Sequence, residues 1–330
     1  MGKASRTKQD GDRRARIAAQ REAQRRAEQR KRIYLAGGSI LVVAIVVIAL
    51  VLVKLNSGGG APAASSNGPT GAALTTLTKQ VTGVPTSVTD QVADGGVDKS
   101  LFISTPTSAA VSQVSATGNS YFATVTGTPL TSDGKPELLY LGAEYCPFCA
   151  AQRWAMVNAL SRFGTFTGLT TTHSSSTDSY PNTPTWTFYK STYKSDYIAF
   201  SSIEETTNER QGNSSSTSVP YQTLQTPTAA QNTLAQTYDP GTGNGGAIPF
   251  IDIGNKYVQV GNLSPLSPSL LAGKSWSQVA AAMNDPTSSL GKAEIGNANY
   301  MTAALCKLTG NKPATACTPT IQKLEGNLAS

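Results

Sequence analysis

Cys146 and Cys149 stand at dithiol spacing between an apolar run and a stretch of helical period, and nothing else in the chain constrains the fold as much. The run Leu138-Leu139-Tyr140-Leu141-Gly142 reads as a buried strand. From Ala150 to Phe163 the apolar residues Met156, Val157, Leu160 and Phe163 share one helix face, and Gly164 supplies a stop. With Cys146 as N-cap, Pro147 falls at the first helical position, where its missing N–H costs nothing. The Cys146 sulfur then faces the open N–H groups of Phe148 and Cys149 and the positive end of the helix dipole, which favour thiolate over thiol. Such sites lower a cysteine pKa from about 8.5 to roughly 3.5–7.5. Cys149, one turn further in, is shielded by the helix, so Cys146 is the attacking thiol and Cys149 the resolving one.

A zinc knuckle would need two more ligands, and the sequence has no second CxxC and no paired histidines near this one. A c-type haem would need histidine where Ala150 stands. No metal and no cofactor is expected, while a static disulfide remains the plain alternative to redox chemistry.

The first 32 residues carry 12 Lys or Arg against 4 Asp or Glu, and the rest carries 15 against 16, so the basic character belongs to this tail. The tail abuts Ile33–Val53, 21 residues without a charge, about 30 Å as a helix and enough to cross a bilayer once. A secretory signal would have a shorter apolar core of roughly 7–15 residues. The expected order is therefore a basic cytoplasmic tail (1–32), a transmembrane helix (33–53), a Gly/Ala/Ser/Pro-rich linker (54–72) and an extracytoplasmic domain (73–330). The positive charge points to membrane topology and not to nucleic acid. Outside the membrane thiols oxidise, and four cysteines allow two structural disulfides or one structural and one reactive pair.

Within the domain, helices are expected over Ala73–Val81, Ala229–Tyr238, Ser275–Met283 and Ala298–Leu308. Strands are expected over Ser120–Val125, Gly168–His173, Thr185–Tyr189 and Tyr197–Ile203. A hairpin follows over Phe250–Ile253 and Lys256–Val260, and Thr206–Thr226 reads as loop. Gly241–Gly246 matches GxGxxG, but it follows a helix and leads into an apolar strand, the wrong setting for a dinucleotide.

The segment Asp133-Gly134-Lys135-Pro136 through Cys149, the helix after it, and Ile248-Pro249-Phe250 before a hairpin and a helix resemble the thioredoxin superfamily. With the anchor, Arg153 and the distal Cys306 and Cys317, the chain is similar to a prokaryotic family of membrane-anchored thioredoxin-like proteins described as a domain of unknown function. The resemblance implies an α/β fold with a thioredoxin-like central mixed sheet, flanking helices and an insertion at about 174–246. It also implies a cis bond before Pro249, beside the dithiol, with the Ile248 backbone free to pair with a substrate strand. Phe148 stands where strongly oxidising relatives have histidine, which leaves the direction of electron flow open.

Among the neighbours, Tyr145, Phe148 and Trp154 can line a peptide groove, with simple packing as the alternative for the aromatics, and Glu144 can exchange a proton or sit in solvent. Arg153, at i+4 from Cys149, can bias its charge, against a default of an exposed helical arginine. His173 is expected at the surface or in a hydrogen bond. Cys306 and Cys317 form either a staple or a second redox pair. The function expected is thiol–disulfide exchange with exported proteins, served by a membrane or extracytoplasmic redox partner. A surface binding module on the same scaffold, with its disulfide structural, is the alternative.

Overall fold

A strand that is apolar on both faces, as Leu138–Leu141 is, has to be covered from two sides. In the computed structural model, which describes residues 68–96, 122–239, 247–260 and 266–328, that strand lies at the centre of a mixed sheet. The chain runs through α1 (Gly71–Thr82), α2 (Thr86–Val92), β1 (Ala123–Thr124), β2 (Thr131–Ser132), β3 (Lys135–Gly142), α3 (Pro147–Ser161), β4 (Gly164–Thr167), β5 (Thr170–His173) and β6 (Pro184–Thr187). It continues through β7 (Thr192–Ser195), β8 (Ala199–Glu204), β9 (Thr206–Arg210), β10 (Tyr221–Thr223), α4 (Ala229–Tyr238), β11 (Phe250–Ile253), β12 (Tyr257–Val260), α5 (Trp276–Met283), α6 (Ser289–Leu308) and α7 (Pro319–Glu325).

The sheet order is β1-β12-β11-β3, β8 pairs with the opposite edge of β3, and the short β2 pairs with the start of β3 on the β11 side, where Leu130 accepts from Glu137 and donates to the Gly254 carbonyl. β8 is parallel to β3 from Glu137 to Gly142, and the other pairings of the sheet are antiparallel. Leu138 and Tyr140 enter the larger core with Trp154, Leu160, Ile295 and Leu305. Leu139 and Leu141 enter the smaller one with Phe250, Val258, Ala235 and Tyr238. Each such leucine, removed from water, contributes roughly 1.5–3 kcal/mol. The β11–β12 turn uses Gly254 and Asn255 in left-handed conformations, φ 67° and 52°, which these residue types tolerate best.

Several elements depart from expectation. Thr206–Thr226, polar and without period, contains the β9–β10 hairpin; its order comes from tertiary contacts, chiefly Arg210, which donates to the carbonyls of Thr217 and Val219 and to the Tyr221 hydroxyl. A short helix not expected from the sequence, α2, follows α1, with Pro85 as its N-cap. α6 begins well before Ala298 because Gly291 and Gly296 serve close packing: a Cβ at Gly291 would lie 2.1 Å from the Ala282 carbonyl oxygen, and one at Gly296 2.9 Å from the Gly95 Cα. The stretch 174–246 is not all insertion, since β8 within it belongs to the central sheet. α1 starts inside the stretch expected as linker.

Among the described residues no helix is long and apolar enough to cross a membrane. The tail (1–32), the apolar segment Ile33–Val53, most of the linker, and Gly241–Gly246 lie outside the described residues. The coarse architecture, mixed α/β with a mixed sheet, is as expected.

Glu294 on α6 is fully buried, and neither carboxyl oxygen has a hydrogen-bond partner. Burial therefore pushes its pKa well above the usual carboxylate range. The folded state holds this proton where the unfolded state has released it, so stability falls as pH rises above about 4.3, the unfolded value, until the folded pKa is passed. Glu294→Gln removes the dependence. At pH 8 it should unfold at higher denaturant than the wild type, and the gap should close towards pH 5. A gap that does not change with pH would contradict the assignment.

Candidate active site

β3 ends at Gly142, and the turn Ala143–Tyr145 delivers the chain to α3. Cys146 is the N-cap of that helix with extended backbone (φ −75°, ψ 120°), and Pro147 occupies the first turn. The Cys146 Sγ accepts a hydrogen bond from the Cys149 N–H at 3.3 Å. Both cysteines are free thiols, Cys146 5% exposed and Cys149 fully buried. Across the site the Ile248–Pro249 peptide bond is cis, and the Cys146 thiol faces the Ile248 carbonyl oxygen at 3.9 Å. Residues more than a hundred positions apart thus meet at the end of β3.

Burial pushes the Cys146 thiol up, but a hydrogen bond from the Cys149 side chain, the N–H groups of Cys149 and Phe148 and the Arg153 guanidinium outweigh it and hold Cys146 below the ordinary thiol range. Cys149 moves the other way. Burial and its hydrogen bond to Cys146 push it well up, with Arg153 and the Ala143 N–H opposing. The sulfur at the helix N-terminus ionises more readily than an ordinary thiol, and the one behind it less readily.

Two aromatic pairs flank the dithiol. Tyr145 stacks on Tyr221 with ring centroids 4.1 Å apart, and the Arg210 guanidinium lies 4.1 Å from the other ring's centroid. Phe148 meets Tyr180 edge-on at 6.2 Å. Tyr145, Phe148 and Ile248 are half-buried, so all three present surface beside Cys146. Trp154 does not; it is fully buried, donates to the Pro184 carbonyl at 2.9 Å and packs against Trp186. Glu144 is buried, not solvated. His173 ends β5 hydrogen-bonded to the Ser174 carbonyl, with Asn208 beside it. Among the described residues no group of three metal-ligating side chains forms.

Arg153 departs furthest from expectation. It is fully buried, and its Nε and Nη2 fork onto Glu204 at 2.8 and 2.5 Å while Nη2 also donates to the Ala143 carbonyl at 2.7 Å. Tyr180, Glu204, Arg210 and Tyr221 carry no local signal, because each reaches the site from a segment at least thirty residues downstream. For Arg153 a signal existed: it is the one charge in a helix whose other residues are nearly all apolar or small, the composition of a helix buried all round.

The family model described as a domain of unknown function, DUF929, matches residues 121–307. The chain belongs to that family. No curated protein and no solved structure matches the sequence significantly. The matched span includes the dithiol, Ile248 and Pro249, and Cys306, but stops before Cys317.

Cys306 and Cys317 are joined in a disulfide with Cα atoms 5.7 Å apart. Gly310, left-handed at φ 62°, turns the chain back after α6. Both residues are buried, 0% and 2% exposed.

Two outcomes follow. In the reduced protein, iodoacetamide should label Cys146 at a pH below the ordinary thiol range and leave Cys149 unmodified, as read by peptide mass spectrometry; equal labelling of both would contradict the asymmetry. Replacing Cys306 and Cys317 with Ser should cost about 2–3 kcal/mol of stability, the value for closing a loop of this size, with the reactivity of Cys146 unchanged.

Proposed function

We propose that this chain is a membrane-anchored, extracytoplasmic thiol–disulfide oxidoreductase on a thioredoxin-like scaffold. The observation that carries it is the dithiol itself: Cys146 at a helix N-terminus with its thiol pKa lowered, Cys149 buried one turn behind, and the cis Ile248–Pro249 carbonyl facing them. The scaffold reading is supported by a central strand leading to the dithiol helix, a parallel neighbour on one side, and an antiparallel hairpin that begins at the cis proline on the other. The anchor rests on the sequence of residues 1–53.

In the exchange, the Cys146 thiolate attacks a disulfide of an exported protein. A mixed disulfide forms and one substrate thiolate leaves. Cys149 then attacks the Cys146 sulfur, closing the Cys146–Cys149 bond and releasing the second substrate thiol. The same steps in reverse oxidise a substrate dithiol, and a redox partner at or outside the membrane restores the starting state. Tyr145, Phe148 and the Ile248 backbone flank the sulfur where a substrate chain would lie.

Cys149→Ser in the full-length protein should accumulate reducible adducts with exported proteins through Cys146, visible as a mobility shift on non-reducing gels. The adducts should vanish when Cys146 is also replaced. An absence of adducts together with no exchange against a model disulfide would overturn the proposal in favour of a binding module, whose partner would still bind the Cys146→Ser protein.

A further inference from the structure

A buried cation beneath the dithiol has more donors than its ion pair uses. Arg153 lies one helical turn beyond Cys149, so the two side chains share a face of α3. Glu204 and the Ala143 carbonyl occupy Nε and Nη2, while Nη1 is buried without an acceptor. The Tyr140 hydroxyl, from β3, is also buried without a partner, and its ring centroid lies 5.8 Å from the Arg153 guanidinium carbon. Ala143 connects this cluster to the thiol: its carbonyl accepts from Arg153, and its backbone opposes the rise in the Cys149 pKa. Buried donors without acceptors are rare in folded proteins, and two next to one thiol call for an explanation.

A plain ion pair that pins α3 to β8 would account for Nε and Nη2 but not for the idle Nη1 or the idle hydroxyl. A thiolate at Cys149 would be an anion among them, and the resolving step requires that thiolate. Facing Cys149 are Cys146 and Arg153 from its own helix, Tyr140 and Tyr145 from β3 and the turn after it, and, beyond Arg153, the carboxyls of Glu204 and Glu144. Arg153 is the one cation in that set.

We infer that Arg153, assisted by Tyr140, is the positioning residue that lets the buried Cys149 carry negative charge while it resolves the mixed disulfide. The inference rests on the dithiol reading above and assigns its second step. Cys149 gives up its proton, its thiolate attacks the Cys146 sulfur, the Cys146–Cys149 bond forms and the bond from Cys146 to the substrate sulfur breaks. The departing substrate thiolate takes up the proton. The protein dithiol has then lost two electrons and the substrate disulfide has gained them.

The test uses the reduced full-length protein and the aromatic disulfide 5,5′-dithiobis(2-nitrobenzoate), followed by stopped-flow absorbance from pH 6 to 9. The first thionitrobenzoate reports attack by Cys146 and the second reports resolution by Cys149. Arg153→Met should slow the second release at least about three-fold more than the first at pH 7, the effect of one unit in a thiol pKa once the greater nucleophilicity of the more basic thiolate is set against it, and should move the pH profile of the second step upward. Arg153→Lys should restore part of it. Because Arg153→Met leaves Glu204 buried without its partner, the double variant Arg153→Met with Glu204→Gln, which removes both charges, carries the same expectation if the single variant does not fold. Equal slowing of both releases, or none, in a folded variant would overturn the role of Arg153. No first release from the wild type would instead overturn the dithiol reading.

Discussion

Arg153 ties three separate segments together: the dithiol helix that carries it, the end of the parallel strand through Glu204, and the turn before the cysteines through the Ala143 carbonyl. A guanidinium with no exposed surface is costly to bury, and its position is fixed only because both partners meet it with hydrogen bonds. The helix α3 therefore cannot slide along β3 or rotate about its axis without breaking this contact. The N-cap geometry at Cys146 depends on that. A dithiol whose first sulfur must face the helix N-terminus, and whose second must stay covered, needs the helix held in one register.

The same constraint divides the two thiols. Cys146 stands at the edge of the site, where Cys149 and the backbone N–H groups support negative charge on its sulfur. Cys149 lies behind it under full burial, which works against ionisation. The difference comes from depth and from helix geometry together, with the sulfur at the N-cap and the sulfur three residues later exposed to opposite environments.

The strand before the dithiol, the helix after it, the proline in its first turn and the β11–β12 hairpin were legible because each is written in a few adjacent residues: a continuous apolar run, a proline after a cysteine, Gly254-Asn255 between alternating strands. α6 was half legible, since its glycines look like breakers until the chain they approach, Gly95 and Ala282, is in place. The β9–β10 hairpin was not legible, since its residues are polar and aperiodic and its order depends on Arg210 reaching across the segment. Of the site, the cysteines, Ile248-Pro249, Tyr145 and Phe148 could be named from the sequence, whereas the aromatic partners Tyr221 and Tyr180 and the Arg153–Glu204 pair depend on contacts between distant segments that no local pattern encodes. The buried state of Arg153 was the nearest miss, because the apolar helix around it already argued against exposure.

The most direct test of the account is the reduction potential of the Cys146–Cys149 pair, measured by equilibrating the full-length protein with glutathione buffers and quantifying both cysteine pairs by mass spectrometry. The account predicts a reversible two-electron transition within the range of thiol oxidoreductases, about −270 to −120 mV, with Cys306–Cys317 staying oxidised throughout. A Cys146–Cys149 pair that stays fully reduced or fully bridged across that whole range would contradict it.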